Sequence, residues 1–430
     1  MKKLFESIIF VLFKVVYDCV YIFFTTKQFE YMQSILSFDI YKYIINWIIF
    51  ILLLVIVVYS FKEDLMAFII KSIFMFSTIP TISLYGLKEI NNIAFALMIL
   101  YWVIMLFSFV RLQRLEFKQK SIKVSNKETD IRYVNIIFLT AFLISFILWG
   151  FLGKFRLITS LAEVSEYRLS LRQIYIPSII RYLMIWVGNV FLPFCFAMFL
   201  RHKKKVNAIL TFSAGLMLFS INGLKTWLAI YPMILFVFLV YKDESKISRY
   251  TNALAIGVSI FGFMGLLMYF CSDKITLAAL YHRIFSIPAE INYNFYTFFS
   301  TREPLLLRES ILRHFWDSPY SGSSTYIIGA LFSGNSEANA NNGMFGDAYG
   351  NFKVFGIIFY PYIMSLLFKF IGYSLENEDQ RVVISILLVL IWNLINASLF
   401  AWILSGGVII FLMITKLGKK SRLNLMNNIS

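Results

Sequence analysis

Arg168 and Arg172, in AEVSEYRLSLRQIYIP, stand i, i+4 and share one face of any helix formed there. Two guanidiniums on one face grip a phosphate or pyrophosphate through forked hydrogen bonds. The competing reading is a surface pair answered by Glu163 and Glu166. Arg283, in LAALYHRIFSIPAEINYNFYTFF, is a third such cation, and Glu290 and a run of aromatic rings follow it. Those rings suit sugar faces, and equally a membrane interface. Arg308, Arg313 and His314 lie in EPLLLRESILRHFWD, whose apolar spacing predicts a short amphipathic helix over 303–317 at the outer interface. His314 in water can act as a general base near neutral pH, or simply serve the structure; Glu290 and Asp347 are rival bases. The last group is NANNGMFGDAYGNFKVFG (339–356). Its glycines permit tight turns or close ligand approach, and its amide and carboxylate side chains bond hydroxyl-rich ligands. Asn342 and Tyr349 are its candidate glycan contacts, and its one or two carboxylates are too few to argue for Ca²⁺. Lys225, in INGLKTW, either adds a further cation or snorkels to the interface.

These residues interrupt a chain that is otherwise apolar. Of 430 residues, 59% are hydrophobic and 15% charged, with mean hydropathy +0.74, which places the chain among α-helical polytopic membrane proteins. The formal charge of +16 sits in short runs between apolar segments, a placement that fits the positive-inside rule and not a nucleic-acid face. Cys19, Cys195 and Cys271 have no metal-ligand spacing, and the nucleotide, zinc-hydrolase and serine-hydrolase signatures are absent. No metal or cofactor is expected. The amino-terminal MKKLFESIIFVLFKVVYD lacks a small-residue cleavage site, so no cleavable signal peptide is expected either.

Hydropathy predicts about 12 spans, at about 7–24, 43–61, 66–85, 93–110, 134–152, 180–200, 206–221, 223–241, 251–270, 354–373, 382–397 and 399–415. The first carries Glu6, Lys14 and Asp18 and can instead lie in the interface; 206–241 can be one helix or two hinged at Asn222-Gly223. The organisation is then a bundle over 1–270 with a small outer loop at 153–179, a large polar loop over 271–353, and final helices with a basic tail over 354–430. Lys/Arg clusters at 111–133, 201–205, 242–250 and 416–422 place both termini in the cytoplasm and the large loop outside.

The layout of spans, the late outer loop and NNGMFGDAYGNFKVFGIIFYP resemble the O-antigen and capsular repeat-unit polymerases (Wzy-type). RIFSIPAEINYNFYTFF, EYRLSLR and NGLKTW are similar to stretches these proteins carry at corresponding places. The resemblance implies a GT-C-like architecture in the cytoplasmic (inner) membrane. It further implies glycosyl transfer between undecaprenyl-pyrophosphate-linked oligosaccharides, donor and acceptor, at the outer face. A chain-length regulator and a flippase would be its partners, and Arg168, Arg172 and Arg283 would hold the anionic substrate. The alternatives are an O-antigen ligase, which a sequence separates poorly from a polymerase, and a flippase for lipid-linked oligosaccharide. The flippase would show two similar halves and charges within spans, as Lys14 and Lys71 do. A scaffold or sensor would need a soluble domain or signalling motif.

Overall fold

The computed structural model describes residues 1–115, 131–158, 176–241 and 247–427. Arg168 and Arg172 lie outside them. All described secondary structure is helical, and ten described helices are long and apolar enough to cross a bilayer. The protein is a polytopic α-helical membrane protein.

Those ten are Lys2–Gln28, Ile40–Tyr59, Leu65–Leu87, Asn92–Arg114, Ile131–Phe151, Ser178–Arg201, Lys205–Asn222, Arg249–Ser272, Gly343–Leu375 and Leu399–Gly418. Three shorter apolar helices accompany them: Lys225–Val240, Ser324–Ser333 and Gln380–Ile395. Two expected spans, 223–241 and 382–397, thus fall among the shorter helices. At 16 residues each, they are about 24 Å long, below a typical hydrocarbon thickness of about 30 Å. The hinge is real: Gly223 ends Lys205–Asn222 with φ 63°, and Asn222 Oδ1 accepts from the Leu224 N–H. The last span is broken between Ile403 and Val408, where Gly407 has φ 103°.

Polar residues at the ends of the apolar runs set several starts. Asp39 accepts from the N–H groups of Tyr41 and Lys42, Asp64 from Ala67, and Asn91 from Ile93 and Ala94. Four described helices contain a wide, π-type turn, at Tyr21–Thr25, Phe74–Thr78, Val187–Phe191 and His282–Ser286. In the last three a proline, Pro80, Pro193 or Pro288, follows two residues later. A proline cannot donate to the carbonyl four residues back; in each case that carbonyl lies inside the wide turn, whose shifted bonding absorbs the loss.

Residue contacts divide the chain into two compact units. The first comprises Met1–Phe117, Lys246–Gly372 and Leu394–Phe400. Its central helix, Leu65–Leu87, is almost wholly buried, and the first helix buries Phe10, Phe13, Tyr17, Tyr21 and Phe24 while Leu4, Ile8, Leu12 and Val15 face outward. The three charges of the first helix, weighed above as a reason for it to lie in the interface, are instead buried within this unit. Lys14 Nζ donates to Asp18 Oδ2 and Ser83 Oγ, each at 2.9 Å, and Lys71 pairs with Glu6. Buried charges persist when paired in this way. The second unit comprises Lys118–Ser245, Tyr373–Asn393 and Ala401–Ser430. There Trp227 Nε1 donates to Asn189 Oδ1 at 3.0 Å, and Arg201 pairs with Asp379 at 3.0 Å.

Candidate functional site

The polar segment 271–353 is largely ordered as helix in the first unit. A helix runs through 276–300, bent at the wide turn His282–Ser286, and its second half, Ile287–Ser300, buries most of its residues. A second helix is Ser324–Ser333, and the long helix Gly343–Leu375 starts inside the segment.

Glu290 is the centre of this arrangement. It is 6% exposed, and its Oε1 accepts from Tyr21 Oη at 3.0 Å and from Ser34 Oγ at 2.8 Å. Ser34 also reaches Oε2 at 3.0 Å, and Lys88 Nζ stands 4.0 Å from Oε1. Burial raises the carboxyl pKa, and the Lys88 charge and the hydrogen bonds from Ser34 and Tyr21 oppose it. A raised pKa makes the carboxylate a stronger base when it is ionised.

One face of the bent helix continues the site. His282 is buried with its ring stacked on Phe29, centroids 4.1 Å apart, and neither ring nitrogen has a hydrogen-bond partner in the protein. Burial first, then the charges of Arg283 and Lys88, lower its pKa, so the imidazole is neutral at physiological pH. Arg283 is exposed beside it. The wide turn thus sends His282 inward and Arg283 outward, with Lys88 acting on both His282 and Glu290. Lys88 thus acts on a buried carboxylate and a neutral imidazole, and Arg283 acts on the same imidazole. This set can bind an anionic group and take a proton from a neutral one.

Asp347 lies in a different polar cluster of the same unit. Its Oδ1 accepts from Asn342 Nδ2 at 3.3 Å and Asn351 Nδ2 at 2.9 Å, and its Oδ2 from the Leu399 N–H at 2.8 Å. Asp347 therefore ties Gly343–Leu375 to the start of Leu399–Ile403, and Asn342 spends an amide on the same tie. Tyr349 is 5% exposed and packs its ring on Phe345 and Tyr296. The glycines of the motif serve packing. Gly343 has φ 59°, and a Cβ there would stand 2.6 Å from the Ile395 carbonyl oxygen. Gly346 and Gly350 receive the rings of Phe295 and Phe299.

The helix expected over 303–317 is not formed. Residues 306–315 make successive turns, with Leu306 and Leu307 at φ 51° and 64°, values an α-helix does not contain. Glu309 is drawn off to the start of the next helix, where its carboxylate accepts from the Ser324 N–H and Oγ. Arg313 and His314 are exposed, with Arg313 Nε 3.2 Å from His314 Nε2. Lys225 is exposed in the first turn of Lys225–Val240 and belongs to the second unit.

Tyr21, Ser34, His282 and Lys88 were not selected from the sequence as site residues. Lys88 had a signal: it is a lysine in a loop assigned to the outer side, where the charge bias disfavours one. Tyr21 and Ser34 had none, since they meet Glu290 across more than 250 residues. Among the described residues no three His, Cys, Asp or Glu side chains converge as metal ligands would. Compared with family models, curated proteins and solved structures, the chain gives no match.

Proposed function

We propose that the protein is a polysaccharide repeat-unit polymerase, transferring a glycan between polyprenyl-pyrophosphate-linked oligosaccharides at the outer face of the cytoplasmic membrane. The observation that carries the reading is the approach of Lys88 to the buried Glu290, which shares a helix with the exposed Arg283 in an otherwise apolar, polytopic chain. In the reaction, Glu290 accepts the proton of an acceptor hydroxyl as that oxygen bonds to the donor's anomeric carbon. The bond from that carbon to the pyrophosphate oxygen breaks, and the lipid pyrophosphate leaves with the electron pair. Lys88 and Arg283 offset the charge that develops on it. Tyr21 and Ser34 hold the carboxylate in place. No nucleotide sugar takes part, in keeping with a sequence that has no phosphate-binding loop.

The test is reconstitution in liposomes with a polyprenyl-pyrophosphate repeat unit, products being resolved on a gel. The native protein is expected to build a ladder of polymer, and Arg283→Ala and Lys88→Ala to shorten or abolish it. A ladder unchanged in both variants refutes the assignment of the cations.

A second reading, movement of lipid-linked oligosaccharide across the bilayer, is favoured by the buried pairs Lys14–Asp18 and Glu6–Lys71 within spans. Labelled lipid-linked sugar crossing the bilayer with no ladder formed would establish it in place of the polymerase.

A further inference from the structure

The segment after the bent helix has no part in the proposed reaction, yet its surface is unusual for one in water. Four of its large apolar side chains are exposed: Leu306 at 44%, Ile311 at 41%, Phe315 at 77% and Trp316 at 61%. Its carboxylates do little to make that surface acidic. Glu309 is committed to Ser324, and Glu303 pairs with Arg308 at 2.7 Å; Asp317, Arg302 and Arg313 are exposed. The exposed face is therefore aromatic and aliphatic with a near-balanced set of charges, the composition of a membrane–water interface.

Its position is fixed by hydrogen bonds. Leu305 N–H donates to the Gly350 carbonyl at 2.9 Å, Leu306 N–H to the Asn351 carbonyl at 3.2 Å, and Leu307 N–H to Asn351 Oδ1 at 2.8 Å. From there Leu312 N–H donates to the Leu307 carbonyl at 3.2 Å, and Trp316 N–H to the Leu312 carbonyl at 3.1 Å. Trp316 is thus joined to Asn351 through three short links. Two residues past Asn351, the helix Gly343–Leu375 kinks at Lys353, with φ 52°, where the lysine amine donates to the carbonyls of Phe299 and Arg302. Just beyond the kink an outward apolar stripe begins, with Val354, Phe355, Ile358, Phe359, Tyr362 and Leu366 exposed at helical spacing. On a helix of this hydropathy such a stripe faces lipid. Asn351 stands three residues before its first residue, on the near side of the kink.

We propose that residues 305–317 form an interfacial anchor, with Phe315 and Trp316 seated in the headgroup layer of the bilayer that Gly343–Leu375 crosses. The partner is the lipid surface. The bound loop holds the C-terminal end of the 276–300 helix at a fixed depth through Lys353 and the Tyr320 hydroxyl, which donates to the Glu303 carbonyl at 2.5 Å.

The experiment places a nitroxide at Trp316→Cys in a Cys19→Ser/Cys271→Ser background, with the full chain reconstituted in phosphatidylethanolamine/phosphatidylglycerol vesicles. Asn335→Cys, exposed on the polar segment, is the aqueous reference, and Phe359→Cys the lipid reference. The label at 316 is expected to relax more with oxygen than with a water-soluble nickel chelate, as the label at 359 does. A label at 316 that follows 335, open to the chelate, overturns the proposal and leaves the patch for a protein partner. A second measurement avoids labelling altogether. Brominated phospholipid should quench the native protein's tryptophan emission more than that of Trp316→Phe, and equal quenching in the two also overturns it.

Discussion

The Lys14–Asp18 pair allows the cost of stranding a buried charge to be separated from ordinary hydrogen bonding. Lys14 Nζ donates to Asp18 Oδ2 and Ser83 Oγ and lies 4.4 Å from the centre of the Trp47 ring, while Asp18 Oδ2 also accepts from Tyr43 Oη at 3.0 Å. Lys14→Met keeps most of the stem volume and removes the cation, leaving Asp18 buried with Tyr43 as its remaining hydrogen-bond donor. If the two lost bonds were all that mattered, at about 0.6 kcal/mol each for bonds inside membrane proteins, the variant would lose about 1 kcal/mol. Stranding one member of a buried ion pair costs about 3–5 kcal/mol instead. The second figure should govern, because both side chains are almost completely enclosed. Lys14→Met/Asp18→Leu removes both charges, and its stability should return to within about 1–2 kcal/mol of the native protein. The assay is reversible unfolding in mixed micelles across a double-mutant cycle, followed by circular dichroism. A loss near 1 kcal/mol for Lys14→Met, or additive losses in the double variant, would show that the pair's charge is not what holds this part of the bundle.

Three further outcomes follow. His282 has its pKa lowered by burial, so its contribution to stability is full above the ordinary imidazole value of about 6.5 and is lost as pH falls toward the folded value. His282→Phe, which keeps the stack on Phe29, should flatten that acid limb of a thermal-stability profile. Glu290 has the opposite sign: its raised pKa gives stability that is full below the ordinary carboxylate range and declines as pH rises through the folded value, a decline that Glu290→Gln should remove from the same profile. Gly343→Ala should cost at least about 1–2 kcal/mol from the left-handed backbone, with more from the contact with the Ile395 carbonyl. Thermal unfolding in detergent measures it, and a neutral result would refute the close approach of these two backbones.

What the sequence made legible was whatever short-range text determines. Long apolar runs marked the membrane helices, and Asn222-Gly223 marked the hinge. The 276–300 helix shows where that reading stops. Its residues look polar in one dimension because their partners are remote: Tyr293 Oη donates to the Thr81 carbonyl at 2.8 Å, Asn292 Nδ2 to Thr81 Oγ1 at 3.3 Å, and Glu290 meets Tyr21 and Ser34. A hydropathy window counts each of these as a reason for the chain to be in water, whereas a satisfied polar group can be buried at little cost. The same blindness works in reverse at 303–317. There the apolar spacing is right for a helix, but Glu309 is worth more as a cap on Ser324 than as a surface residue, and the chain turns at Leu306 and Leu307 to deliver it. In both segments a carboxylate takes part in the local structure through partners that apolar periodicity does not register, Tyr21 and Ser34 for Glu290 and Ser324 for Glu309. The candidate site depends on the first of these carboxylates. That is why Arg283 and Glu290 could be selected by residue type, while Tyr21, Ser34 and Lys88, which give Glu290 its environment, emerged only once the chain was folded.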